Sequence, residues 1–271
     1  MNSHFFVFIT LLFCFSACQT ATQSNNTNNN PEKSAYPTDT LKSYYYPLAQ
    51  LKDGLIYEYA YLPSNQTAYY WFFKTVADEA GNWNLIGTRY GANFETEATT
   101  RERVYPNGMA YEMYQFLVLD TASGKDKVYP HNIISPTSFP FEIASKQGQV
   151  YRFQSTFNLP PDMTLNYKFT RDRQFSKFTN FNYEQQSKPA IELTGFDYLV
   201  LSDSIKGGYF TLDSSAIKET YIKDIGLVYI ERQAPNKQIV VCQLKARYVM
   251  DSFLLKIPES VLPKNRRPQQ K

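Results

Sequence analysis

The chain has 271 residues, with 28 Lys and Arg against 25 Asp and Glu, a formal net charge of +3. So small an excess excludes the broad basic field that holds nucleic acid, and none is expected as a partner. Aromatic residues are 16 % of the sequence, with 22 Tyr and 20 Phe, which favours strands, where aromatic and β-branched side chains pack on a pleated surface.

In chain order, residues 5–15 come first, an apolar run from Phe5 to Phe15. It is shorter than the ~20 residues a spanning helix needs, and it suits the core of a secretory signal of ~7–15 residues. Met1-Asn2-Ser3-His4 before it lacks Lys and Arg. Phe15-Ser16-Ala17-Cys18 resembles a bacterial lipobox, with Phe15 where Leu is commoner. The resemblance implies a signal peptide over 1–17 and acyl chains of the palmitate type on Cys18. One acyl chain binds a membrane only marginally, so the several chains of a lipoprotein cysteine are what make attachment stable. An ordinary cleaved signal, or a buried hydrophobic end, is the alternative.

Residues 18–43 read as the lipidated Cys18 and a tether centred on Gln23-Ser24-Asn25-Asn26-Thr27-Asn28-Asn29-Asn30-Pro31. So little apolar content cannot offset the entropy of ordering, and disorder is expected. A body of roughly 215 residues follows, enough for one large or two small domains. No run in it is long and apolar enough to span a membrane as a helix.

The body reads as all-β: antiparallel curved sheets or a half-open barrel, with two tandem β-units over 44–140 and 141–258 as an option. Leu55, Tyr57, Tyr59 and Tyr61 alternate with Ile56, Glu58 and Ala60, and Leu165, Tyr167 and Phe169 alternate with Asn166, Lys168 and Thr170. Period two puts one face on a core and the other toward water. Residues 69–73, Tyr-Tyr-Trp-Phe-Phe, are apolar on both faces, as in a central strand or one covering a second layer. Further strands are expected at 83–90, 110–119, 149–157, 198–201, 227–232 and 238–248, parted by Gly-, Asn- and Pro-containing turns at 80–82, 106–108, 123–125, 206–208 and 234–236. Short helices are expected at 95–103 and 214–220. Lys52-Asp53-Gly54-Leu55-Ile56-Tyr57-Glu58-Tyr59 matches Lys146-Gln147-Gly148-Gln149-Val150-Tyr151-Arg152-Phe153, a Gly turn opening a strand. Chance likeness of two strands after turns explains this repeat equally well. Residues 259–271 form a basic tail, a frayed terminus or a weak contact for anionic headgroups.

Chemical signatures are sparse. His131 stands in Pro130-His131-Asn132 without a second His or Cys at metal-ligand spacing, so no metal is expected and a solvated loop side chain is. No Gly-x-Ser-x-Gly elbow, His-Glu-x-x-His or phosphate-cradling Gly loop occurs. Once Cys14 leaves and Cys18 is acylated, Cys242 is alone in the apolar run 239–244, as a buried inert thiol. Glu58, Glu112, Asp197 and Glu219 are the carboxylates considered for pairing in the manner of glycosidases. A catalytic residue is not expected, nor a cofactor.

Glu219-Thr220-Tyr221-Ile222-Lys223-Asp224-Ile225-Gly226-Leu227-Val228, with the tether and the β-rich body, resembles uncharacterised lipoproteins of the Bacteroidetes type. Gly226 then gives a bend and Leu227-Val228 open a strand. The resemblance implies a fold similar to the half-open barrels of lipoprotein carriers, an analogy of fold alone. Asp39-Thr40-Leu41, Asp120-Thr121-Ala122 and Asp203-Ser204-Ile205 resemble the O-glycosylation sequon of that group, which implies Thr40, Thr121 and Ser204 as acceptors. Gln19-Thr20-Ala21-Thr22 lacks the acidic residues of its surface-export signals, which places the chain on the periplasmic side of the outer membrane. The expected role is non-enzymatic: binding of an apolar ligand or an envelope protein, with an interaction module of an outer-membrane complex or an unrecognised hydrolase as alternatives.

Overall fold

Alternation across the pleat organises almost all of the computed structural model, which describes residues 41–120, 124–142, 149–160, 162–203, 205 and 207–258. Residues 1–17, Cys18, the sequon residues Thr40, Thr121 and Ser204, Gly148 of the repeat, and residues 259–271 lie outside the described residues.

The strands are β1 (Leu55–Leu62), β2 (Thr67–Ala77), β3 (Trp83–Gly91), β4 (Thr96–Tyr105), β5 (Gly108–Asp120), β6 (Lys125–Pro130), β7 (Asn132–Pro140), β8 (Tyr151–Asn158), β9 (Leu165–Tyr183), β10 (Gln186–Asp203), β11 (Tyr209–Ile222), β12 (Gly226–Gln233) and β13 (Ile239–Tyr248). All pairings are antiparallel. Chain neighbours pair in turn, β13 returns to β1, and β5 joins both β4 and β7, so twelve strands close a barrel. β6 is the extra strand. It pairs with β5 from Gln115↔Pro130 to Asp120↔Lys125, and β7 takes the same edge of β5 at Gly108↔Pro140 to Ala110↔Thr137. Residues 44–140 and 141–258 therefore supply β1–β5 with β7, and β8–β13, of one ring, joined where β7 meets β8 and where β13 meets β1.

Both expected short helices are strands. In β4, Ala98, Thr100 and Glu102 are buried while Thr99 and Arg101 face out. In β11, Ser215, Ile217 and Glu219 are buried. The alternation is real, but most of its inward members, Thr100, Glu102, Ser215 and Glu219, are polar, because the interior they face is polar. Apolar periodicity could not reveal it.

One end of the barrel is plugged by the segment that leads into β1. Two short turns of 3-10 helix, Leu41–Tyr44 and Leu48–Gln50, carry Leu41, Tyr45, Tyr46 and Leu51 into the main core beside Tyr57, Phe73, Phe139 and Ile222. Thr75 Oγ1 donates to the Leu48 carbonyl at 2.6 Å, and the Asp224 amide donates to the Ser43 carbonyl at 2.8 Å. Leu41 and Ser43, expected at the end of the tether, thus belong to the folded domain: Leu41 is fully buried, and that burial outweighs the polar company it keeps in sequence.

Gly226 seats this plug. Its φ is +103°, and a Cβ there would lie 2.6 Å from the Tyr46 ring. Gly226→Ala is expected to cost about 2–4 kcal/mol through strain and overpacking together. Urea unfolding measures it, and a cost below 1 kcal/mol would mean that Tyr46 does not hold this position.

Outside the barrel a short helix, α1 (Met250–Leu254), lays Phe253 against Ile56, Tyr70 and Phe72. This explains the doubly apolar 69–73 run: Tyr69, Trp71 and Phe73 face inward, and Tyr70 and Phe72 face the helix. Beside them Glu58 is buried and accepts from Tyr248 at 2.6 Å, Thr67 at 2.8 Å and Lys256 at 3.1 Å, with Lys245 at 3.2 Å. Burial alone would raise its pKa, but these donors bring it down to about 2. A depressed carboxyl stabilises fully above its unfolded pKa and loses that contribution as pH falls through the folded value. Glu58→Gln is therefore expected to remove about 1–3 kcal/mol at neutral pH. It should also remove the acid-induced loss between pH 4.5 and 2, which stability measured across that window tests.

Candidate functional site

Above the plug the barrel is open. A cavity of about 320 Å³ runs from Tyr45 and Tyr46 to Tyr61 and Val240, both exposed at the far side, and the half-buried Arg232. Its walls are set by strand periodicity: β2 contributes Tyr69, Trp71 and Phe73, β5 Tyr111 and Tyr114, and β8 and β9 Phe153 and Phe169. Cross-strand register places Tyr59 opposite Tyr69 and Tyr57 opposite Trp71. A larger apolar cleft of about 490 Å³ lies by Leu48, Trp83 and Asp224. It lacks the buried polar groups of the lumen, which makes the lumen the candidate site.

A layer of ion pairs crosses the lumen. Arg171 on β9 grips Asp197 on β10 with two bonds of 2.6 Å each, from Nε and Nη2, and reaches Glu219 on β11 at 3.5 Å. Arg232 on β12 donates from Nη2 to Asp197 at 3.0 Å and to Asp213 at 3.1 Å. Arg173 lies 3.2 Å from Glu219 and donates to the Ser138 carbonyl, and Tyr221 donates to Glu219 at 2.9 Å. Burial would raise the pKa of Asp197, but Arg171 foremost, with Arg232, holds it below the usual carboxylate range. Glu102 is the contrary case. Burial pushes its pKa up against the 2.7 Å bond from Tyr45 and the charge of Arg173. Arg89 on β3 lies over the Tyr69 ring at 4.5 Å, with Glu97 2.8 Å from its Nε.

The four carboxylates weighed from sequence separate. Glu58 lies under α1, and Glu112 is on the outer wall with Arg101 and Arg103, each at 3.1 Å. Asp197 and Glu219 do meet in the lumen, but Arg171 stands between them. Cys242 is free, buried and on the cavity wall, and burial pushes its thiol pKa up.

His131 corrects its expectation of a solvated loop side chain. It is only 8 % exposed, at the break between β6 and β7, where its amide donates to the Tyr114 carbonyl at 2.8 Å. The kink turns the ring inward among Tyr114, Phe116 and Phe157. Among the described residues no group of three or more His, Cys, Asp or Glu could hold a metal ion, and no helix is long and apolar enough to cross a membrane.

Sequence reasoning missed the guanidinium layer. Its one signal was Tyr167, Phe169, Arg171 and Arg173, a single period-two face that turns from aromatic to basic. No protein-family model and no curated protein matches the chain. Among solved structures it is similar to a protein of Parabacteroides distasonis, provisionally named a lipoprotein, with a TM-score of 0.45, 9 % identity, and coverage of 76 % of this chain and 98 % of that one. A likeness this distant carries no inference about activity or partner.

Proposed function

We propose that this chain is a lipid-anchored envelope protein, held by acylated Cys18 on the periplasmic side of the outer membrane, whose barrel lumen takes up a small amphipathic ligand without transforming it. The observation that carries the ligand reading is the cavity of about 320 Å³, aromatic-walled, crossed by guanidinium groups and reaching solvent away from the plug. That volume is at the lower end of small-molecule sites. The ion-pair layer argues for an amphipathic ligand over a purely apolar one, since apolar contact alone would leave those groups desolvated. The carboxyl pair a hydrolase would need is bridged by Arg171, which favours carriage over catalysis.

Trp71 lines the cavity, and Trp83 is the second of only two tryptophans. In Trp83→Phe protein, decanoate or decanol is expected to change Trp71 emission saturably. No change with either, up to their solubility, would defeat the reading. The anchor is tested separately: acyl labelling should be lost in Cys18→Ala, and protease added to intact cells should spare the protein.

A second reading, an interaction module, is favoured by the rim opposite the plug, where Tyr209 is 82 % and Phe210 60 % exposed. Cross-linking from Tyr209 in cells should then return a reproducible partner.

A further inference from the structure

We infer that the lumen recognises its ligand by an oxyanion, a carboxylate or phosphate group carried on an apolar body. This rests on the ligand reading above and names the chemistry of that site. The cavity is lined by Arg89, Arg171, Arg173 and Arg232 but by only two carboxylates, Glu102 and Glu219. Burial works against ionisation of Glu102. Asp197, the main counterion, is fully buried and not part of the lining, so the surface a ligand meets is cationic.

Two guanidinium groups keep donors free. Arg232 spends one terminal nitrogen, Nη2, on both of its carboxylates, and Nη1 has no partner among the described residues. Arg89 meets Glu97 through Nε and Tyr69 through its face, which leaves both terminal nitrogens without a partner among the described residues. Their side chains are 38 % and 40 % exposed, at the open part of the lumen. Both groups act on the Cys242 thiol, so their fields converge on one region of the wall. Planar guanidinium forks suit the paired oxygens of carboxylate and phosphate, and Tyr69 backs one of them. An apolar body then lies against Tyr114 and Phe169 further in.

The test titrates the full Trp83→Phe chain with dodecanoate, dodecyl phosphate and dodecanol, reading Trp71 emission. Dodecanoate or dodecyl phosphate is expected to bind about tenfold or more tighter than dodecanol, the gain a charge-assisted hydrogen bond supplies. The preferred anion identifies the headgroup. Arg89→Gln, which breaks a part-exposed ion pair and the contact with the Tyr69 ring, should shrink that ratio severalfold, whereas Arg101→Gln on the outer wall should not. Equal affinity for the alcohol and both anions overturns the oxyanion inference and leaves the lumen reading standing. No binding by any of the three overturns both.

Discussion

Asp197→Ala is expected to destabilise the barrel by about 3–5 kcal/mol, because it strips the buried counterion from two arginines at once. Asp197 has no exposed surface, takes both fork bonds of Arg171 and shares Arg232 with Asp213. Glu219 meets Arg171 only at 3.5 Å and from Nη1, so it leaves the Nε and Nη2 fork of Arg171 unanswered. Arg152 and Asp172 on the outer wall make the same two-bond fork, each bond 2.7 Å, with the arginine 52 % exposed. Water solvates that pair in either state, so Arg152→Ala should cost only a small fraction as much. Geometry is nearly constant between the two pairs and burial is not, which makes the comparison a test of burial. Urea unfolding of the two variants decides it: equal costs would show that the lumen is as wet as the outer wall. The double variant Asp197→Leu/Arg171→Met should recover part of the loss, since the desolvation penalty goes with the pair.

The same polar interior explains which parts of the fold were legible. β1 and the start of β9 were read from Tyr, Phe and Leu alternation because those faces meet the aromatic part of the lumen. Where the lumen turns ionic the signal vanishes. β9 was read only to Thr170, although it runs to Tyr183, because Arg171, Asp172 and Arg173 look solvated on both faces. Residues 95–103 and 214–220, within or beside β4 and β11, resemble short helices in sequence for the same reason. β6 does not announce itself: Lys125, Lys127 and Pro130 are what an edge strand uses to blunt pairing, and they read as loop.

Closure was not legible at all. Tyr248 donates to Glu58 across 190 residues of sequence, and nothing local announces that β13 will return to β1. The aromatic surplus did point to a lined cavity. The arginines that give it chemistry are single residues spread over β3, β9 and β12, and only the register assembles them.

Acid should weaken the protein well above the range where carboxylates titrate, and His131 is the cause. Its ring centroid lies 4.4 Å from Tyr114, 4.5 Å from Phe116 and 4.2 Å from Phe157. Nδ1 shares a 2.9 Å hydrogen bond with Ser155, and Nε2 is buried without a hydrogen-bond partner among the described residues. Burial pushes the pKa from 6.5 down to about 4, so the neutral ring is the native form. Between those values the unfolded chain binds a proton that the folded chain refuses, and stability falls as pH falls. The loss is complete near pH 4 and amounts to about 3 kcal/mol. The Glu58 window lies lower, between 4.5 and 2, so the two contributions separate on a pH axis. Unfolding free energies at intervals from pH 7.5 to 4.5 should decline in the native sequence and stay nearly flat in His131→Phe. The phenyl ring suits the aromatic cage but forfeits the bond to Ser155, so the variant starts lower. The slope, not the intercept, carries the assignment, and an unchanged slope in the variant would move the proton uptake to another group.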